Sequence, residues 1–200
     1  MIFLEGGAKD SKDLRLSCQQ AFRRLLDHMG IVPPQRRPKL IACGGRDQVY
    51  ADFWLAHAHG AADFVAMWID SEEPIDDPNR PWEHLQGVVT VAAWGRPAGA
   101  QDRQVLFMTT SMETWIAADR WRLRGFFGHA LNENQLPPLQ NLESRSRADV
   151  YHRLRQATQH CPKRYAKGQI SFEIVEHLNP DALAALPSFQ RARVILGDHL

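Results

Sequence analysis

Apolar and polar positions fall in blocks along this chain, and the blocks switch between strand and helix periods. Ile2-Phe3-Leu4 is a short apolar run followed by Glu5-Gly6-Gly7, which predicts a first strand and then a tight turn. Leu14, Cys18, Ala21, Phe22, Leu25, Leu26 and Met29 recur at helical spacing, with Ser11 as the cap, Asp13 in the first turn and Gly30 as the stop. Residues 33–38 read as a loop. Residues 40–43 are a second buried strand closed by Gly44-Gly45, and residues 46–59 a second helix ended by Gly60. Residues 64–69 form an apolar run that stops abruptly at Asp70-Ser71-Glu72. A loop rich in proline and acid follows at 74–81, then a short helix beginning at Trp82. Residues 88–94 read as an added strand or hairpin arm, with 96–102 as its turn. Residues 105–108 are a further strand, and 112–127 a helix ended by Gly128.

Strands and helices that alternate over short connections predict an α/β fold, a mostly parallel sheet with helices on both faces. After Gly128 the pattern changes. Residues 132–141 are polar and contain proline, as a linker does. Residues 147–159 are helical, 161–168 a basic loop, 172–178 and 181–186 short helical pieces, and 189–196 a last helix or strand. The chain therefore divides into an α/β domain at 1–130 and a helical extension at 131–200 packed on it.

Two hundred residues with 44% hydrophobic content suffice for one domain with a real core. No apolar run approaches the ~18 residues of a membrane span. The first residues show no basic segment and no cleavage site, so the expected compartment is the cytoplasm. Cys18, Cys43 and Cys161 are far apart and not in CxxC spacing, which favours buried free thiols over a disulfide framework or a zinc site. The net charge of +1 says nothing for nucleic acid. The stretch with Arg145, Arg147, Arg153, Arg155, Lys163, Arg164 and Lys167 holds one acid, Asp149, and reads as a phosphate-tracking face or a solvated helix face.

The chemistry concentrates where strands end in acid. Asp70 and Glu72 are two apart, so on an extended backbone they point the same way and repel unless a cation or a shared proton intervenes. In a parallel sheet Glu5 lies on the same edge, with Glu113 nearby. Several carboxylates on one rigid edge suit Mg²⁺ or Mn²⁺, which take oxygen ligands, and phosphoryl chemistry. Lys9 beside the first turn, Arg46 after Gly44-Gly45 at a helix N-terminus, and Lys163 and Lys167 in the basic loop are candidate phosphate contacts. Each has a plainer reading as a solvated side chain, or for Arg46 as a partner of Asp47. No GxxxxGK[ST], HExxH or GxSxG motif occurs.

The order Glu5-Gly6-Gly7, then Asp70-Ser71-Glu72, resembles the Toprim domain of topoisomerases, primases and OLD-family nucleases. The chain is more similar to small bacterial Toprim-like proteins of the RloB type. Asp10-Ser11, Gly44-Gly45-Arg46-Asp47, Trp82-Glu83-His84-Leu85, Met112-Glu113-Thr114-Trp115 and the basic segment from Pro162 to Gly168 carry that similarity over most of the chain. The resemblance implies a metal-dependent nuclease or phosphodiesterase acting on nucleic acid, DNA ahead of RNA. It also implies an AAA or SMC-like ATPase partner in phage defence or a mobile element. On this pattern Glu5 is a metal ligand and candidate general acid/base, Asp70 and Glu72 are metal ligands, and Glu113 is a further ligand or orients a water. Glu72 replaces the usual second aspartate. Two other readings stay open: a non-catalytic interaction module, and a small-molecule phosphohydrolase, which the acidic loop after Glu72 suits. The oligomeric state is open too.

Overall fold

The computed structural model describes residues 1–7, 10–31, 33–88 and 94–200. Within them, four parallel strands form one sheet: β1 (Ile2–Glu5), β2 (Leu40–Gly44), β3 (Ala66–Asp70) and β4 (Val105–Met108), in the order β2-β1-β3-β4. The fold is α/β with C-terminal helices, as the alternation of the first 128 residues predicts. β3 starts two residues later than its apolar run. Its ladder with β1 starts at Ile2 and Ala66. The Met1 ammonium instead donates to Phe64 O at 2.6 Å, and Ala66 N to Met1 O at 3.0 Å.

Helix α1 (Lys12–Met29) connects β1 to β2, and α2 (Arg46–Ala58) connects β2 to β3. Ser11 caps α1 by accepting from Leu14 N at 3.3 Å, and Gly30 ends it at φ 65°, a conformation free of Cβ strain only for glycine. The crossovers lie on opposite faces. Leu4, Trp68 and Leu106 pack towards α1 and the helices after β4, while Phe3, Met67, Ile69 and Phe107 pack towards α2 and α3 (Pro81–Gly87). Both faces are buried, which is why these strands read as continuous apolar runs. Trp68 and Trp115 are fully buried and meet edge to face, with centroids 5.7 Å apart. Trp82 anchors α3 from inside, its Nε1 donating to Gln101 O at 3.2 Å.

The segment after β4 differs from its prediction as one helix. It forms α4 (Met112–Ala118) and α5 (Arg120–Phe127), broken at Asp119 with φ −89° and ψ 79°. The Asp119 carboxylate accepts from Arg122 N at 2.9 Å and from Asn179 N at 2.8 Å. It thus caps α5 and ties it to the start of α8 (Pro180–Leu183). The expected linker at 132–141 is packed: it holds a short 3₁₀ turn, Glu133–Gln135, and Leu136 is buried. Helices α6 (Arg147–Ala157), α7 (Gln169–Val175) and α9 (Pro187–His199) share one hydrophobic cluster with β1, α1 and α4. The final segment is therefore a helix, held against β4 by Arg191, which donates to Val105 O and Asp102 O at 2.7 Å each. Most of the expected hairpin arm, 89–93, lies outside the described residues. The three cysteines are free and buried, and burial pushes the Cys18 and Cys43 thiols up to about 12. Among the described residues, no helix is long and apolar enough to cross a membrane.

Candidate functional site

From β1 the chain steps to β2 on one side and then returns to β3 on the other. Such a reversal leaves a crevice at the carboxyl ends of the two central strands, where ligands bind in open α/β sheets. Glu5 ends β1 and Asp70 ends β3, so the crevice is edged with acid.

The acids are tied to one another through the backbone. Asp70 N donates to Glu5 Oε2 at 3.0 Å. Met112 N, at the start of α4, donates to Asp70 Oδ1 at 2.8 Å. Beyond β3 the chain runs along the end of β4, Ser71 N donating to Met108 O and Glu72 N to Thr110 O at 2.9 Å. Glu72 sits at φ 69°, in the left-handed region that a non-glycine residue rarely takes. Although one methylene longer than aspartate, it brings an oxygen to within 4.8 Å of ligand oxygens of Glu5 and Asp70. The turn behind Glu5 demands glycine. Gly6 has φ 147°, and a Cβ there would meet Cys18 Sγ at 2.8 Å. Gly6→Ala should therefore destabilise the fold by about 1–3 kcal/mol, read as a lower urea midpoint; an unchanged midpoint would contradict the crowding.

Cations from three segments close on these carboxylates. Arg46, at the start of α2, donates from Nη2 to Glu72 Oε1 at 2.6 Å and to Asp70 O at 3.1 Å, and lies 3.8 Å from Glu5 Oε2. The local partner expected for it, Asp47, instead accepts from Trp94 Nε1 at 3.3 Å. Arg147, at the start of α6, pairs with Glu72 Oε2. Lys167 lies 3.5 Å from Glu113 Oε2 and over the Tyr151 ring. Glu113 is set apart from the trio. It is buried, and its Oε1 accepts from Tyr165 OH at 2.9 Å, which also meets Ser171 Oγ at 2.9 Å.

Burial pushes the Glu5 carboxyl above its usual range, opposed by Arg46, the bond from Asp70 N, Arg147 and Lys167. Asp70 is pushed well above its range, first by burial and then by the charges of Glu5 and Glu113. Tyr165 is pushed well above its range by burial and by Glu113, so it stays a hydrogen-bond donor. The three carboxylates, already faced by Arg46 and Arg147, offer an all-oxygen donor set of the kind that suits Mg²⁺ or Mn²⁺. The Ser111 hydroxyl, directly before Met112, is buried without a partner among the described residues. That leaves one further oxygen close to this edge.

Of the sequence-predicted residues, Glu5, Asp70, Glu72, Arg46 and Lys167 come together, with Glu113 behind Lys167. Lys163 does not join them: it pairs with Glu173 and lies 5.1 Å over the Phe126 ring. Lys9 lies outside the described residues. Tyr165 and Ser171 were not expected at the site, and Arg147 was expected only as part of a general basic face. Beyond Glu72 opens a cleft of about 510 Å³, lined by Glu73, Asp76, Asp77, Arg80, Glu83 and His84. His84 Nε2 donates to Ser71 O at 3.0 Å, joining the cleft wall to the Asp-Ser-Glu segment.

A family model described as Domain of unknown function (DUF4276) matches residues 10–193. The chain belongs to DUF4276. No curated protein and no solved structure matches it significantly. The DUF4276 span includes Arg46, Asp70, Glu72, Glu113, Arg147 and Lys167; Glu5 precedes it.

Proposed function

We propose that this DUF4276 protein is a metal-dependent, Toprim-like nuclease or phosphodiesterase that uses Mg²⁺ or Mn²⁺. The observation that carries the reading is the convergence of Glu5, Asp70 and Glu72, with ligand oxygens within 4.8 Å, at the reversal point of a parallel sheet. The reading is supported by Glu5 at the end of the first strand lying close to Asp70 and Glu72 at the end of the third, with Glu72 standing where the Toprim pattern has aspartate. A bound Mg²⁺ or Mn²⁺ would polarise a phosphoryl oxygen and supply a nucleophile at neutral pH.

The chain's own residues supply the rest. Glu5, Asp70 and Glu72 would hold the cation. Glu5 accepts from Asp70 N on Oε2, which fixes its carboxylate at the sheet edge. Lys167 is half exposed and steadied by Glu113 and Tyr151, so its ammonium can reach a phosphate oxygen. Tyr165 keeps Glu113 oriented. The AAA or SMC-like ATPase, and the setting in phage defence or a mobile element, belong to the same proposal through the resemblance.

A second reading, hydrolysis of a small phosphoester, is favoured by the acid-walled cleft beside Glu72, which repels a long polyanion. One assay separates the two. Plasmid DNA, single-stranded DNA, RNA and a nucleotide panel are incubated with Mg²⁺ or Mn²⁺ and the protein, with and without an ATPase encoded beside it. Cleavage of polymer that falls by about 10²-fold or more in Asp70→Asn is the expected result, at least the loss that follows removal of one electrostatic contact at a reacting centre. Turnover of nucleotides alone would favour the second reading. Polymer cleavage that survives the substitution would remove the site from the chemistry.

A further inference from the structure

Both oxygens of Glu72 are held by arginines, and the two arginines differ. Arg46 is 11% exposed and is fixed by a second bond to Asp70 O. Arg147 is 44% exposed and reaches Glu72 from the first turn of α6, in the C-terminal layer. An ion pair with a half-exposed member is weak in water and exchanges readily. A divalent cation at Glu5, Asp70 and Glu72 brings twice the charge to the same carboxylate and competes with this pair. The released guanidinium then stands beside the cation, where its planar fork matches a phosphate oxyanion.

We infer that Arg147 is a substrate-binding residue that changes partners: it closes on Glu72 when no divalent cation is bound, and turns to the substrate's phosphate when one is. This rests on the metal-dependent reading above. It assigns Arg147 a role distinct from Arg46, whose Nη2 is also bonded to Asp70 O, and from Arg153, whose Nε is bonded to Asp149 at 2.8 Å on the same helix.

The test is a calorimetric titration of Mn²⁺ into wild type, Arg147→Gln and Arg153→Gln. Arg147→Gln removes a competitor for Glu72, so Mn²⁺ should bind roughly two- to fivefold tighter, the scale of a partly exposed ion pair. Arg153→Gln removes the same charge from the same helix without touching Glu72, and should leave the affinity unchanged. A phosphorothioate dinucleotide is then titrated into the Mn²⁺-loaded proteins. Arg147→Gln should bind it about tenfold more weakly, the scale of a lost charge-assisted contact. The proposal is overturned if Arg147→Gln fails to tighten Mn²⁺, if Arg153→Gln tightens it equally, or if the dinucleotide affinity is unmoved. A wild type that binds no Mn²⁺ defeats the metal-dependent reading itself, and that outcome is distinct from the other three.

Discussion

Asp70→Asn is expected to raise thermal stability and to abolish divalent-cation binding in one and the same variant. The Asp70 carboxyl is raised well above its usual range by burial and by the charges of Glu5 and Glu113. A carboxyl whose folded-state pKa exceeds its unfolded value favours the fold when protonated. That stability is complete below about pH 4 and is lost as pH rises through the raised folded pKa. At a pH where the unfolded carboxyl is ionised, the raised folded pKa therefore works against folding. Asparagine keeps the acceptor for Met112 N and removes the charge. The gain should be on the order of 1–3 kcal/mol, the scale of relieving an uncompensated buried charge, or a few degrees in melting temperature for a chain of this size. Glu5 is shifted in the same direction, so the metal-free wild type should lose stability as pH rises above about 4, and Asp70→Asn less steeply. Mn²⁺ should raise the wild-type melting temperature and leave that of the variant unmoved. A variant less stable than wild type across this range would refute the electrostatic account.

Arg46→Met should have the opposite sign and a larger size. The guanidinium is nearly buried and bonds Glu72 Oε1 and Asp70 O while facing Glu5. Methionine keeps much of the length and removes the countercharge. Breaking a buried pair from one side typically costs about 3–5 kcal/mol; since Arg147 still neutralises part of Glu72, about 2–4 kcal/mol is expected. Urea unfolding with and without Mn²⁺ checks it. The metal should restore most of the lost midpoint, because it supplies the missing positive charge to the same oxygens. A loss that Mn²⁺ does not recover would mean that Arg46 acts through packing rather than charge.

The local parts of this structure were legible because local chemistry dictates them. Ser11 and Gly30 delimit α1, and apolar runs of strand length mark the buried parallel strands. Acids at the ends of the apolar runs of β1 and β3 marked the edge where ligand oxygens meet. What the sequence hid depends on distant partners. The helical period runs unbroken through Asp119, and the break there is stabilised by Asn179, sixty residues away. Asp47 looked like the natural partner of Arg46, yet neighbours on a helix point to different sides, and Arg46 turned to the sheet edge. Arg147 and Tyr165 join the site only because α6 and the loop before α7 fold back over α4. Nothing in the spacing of those residues announces it.

Apart from Arg46, the signs of charge at the site are divided by origin. The acids of the trio come from the ends of β1 and β3, whereas Arg147, Lys167 and the phenol that holds Glu113 come from the layer after Gly128. The electric potential at the crevice is thus a readout of how that layer sits on the sheet. A shift of the layer by an ångström would change the attraction for cation and phosphate in opposite directions, without touching a single carboxylate. A chain cut after the sheet would lose that balance altogether, leaving a nest of like charges whose main remaining counterweight is Arg46.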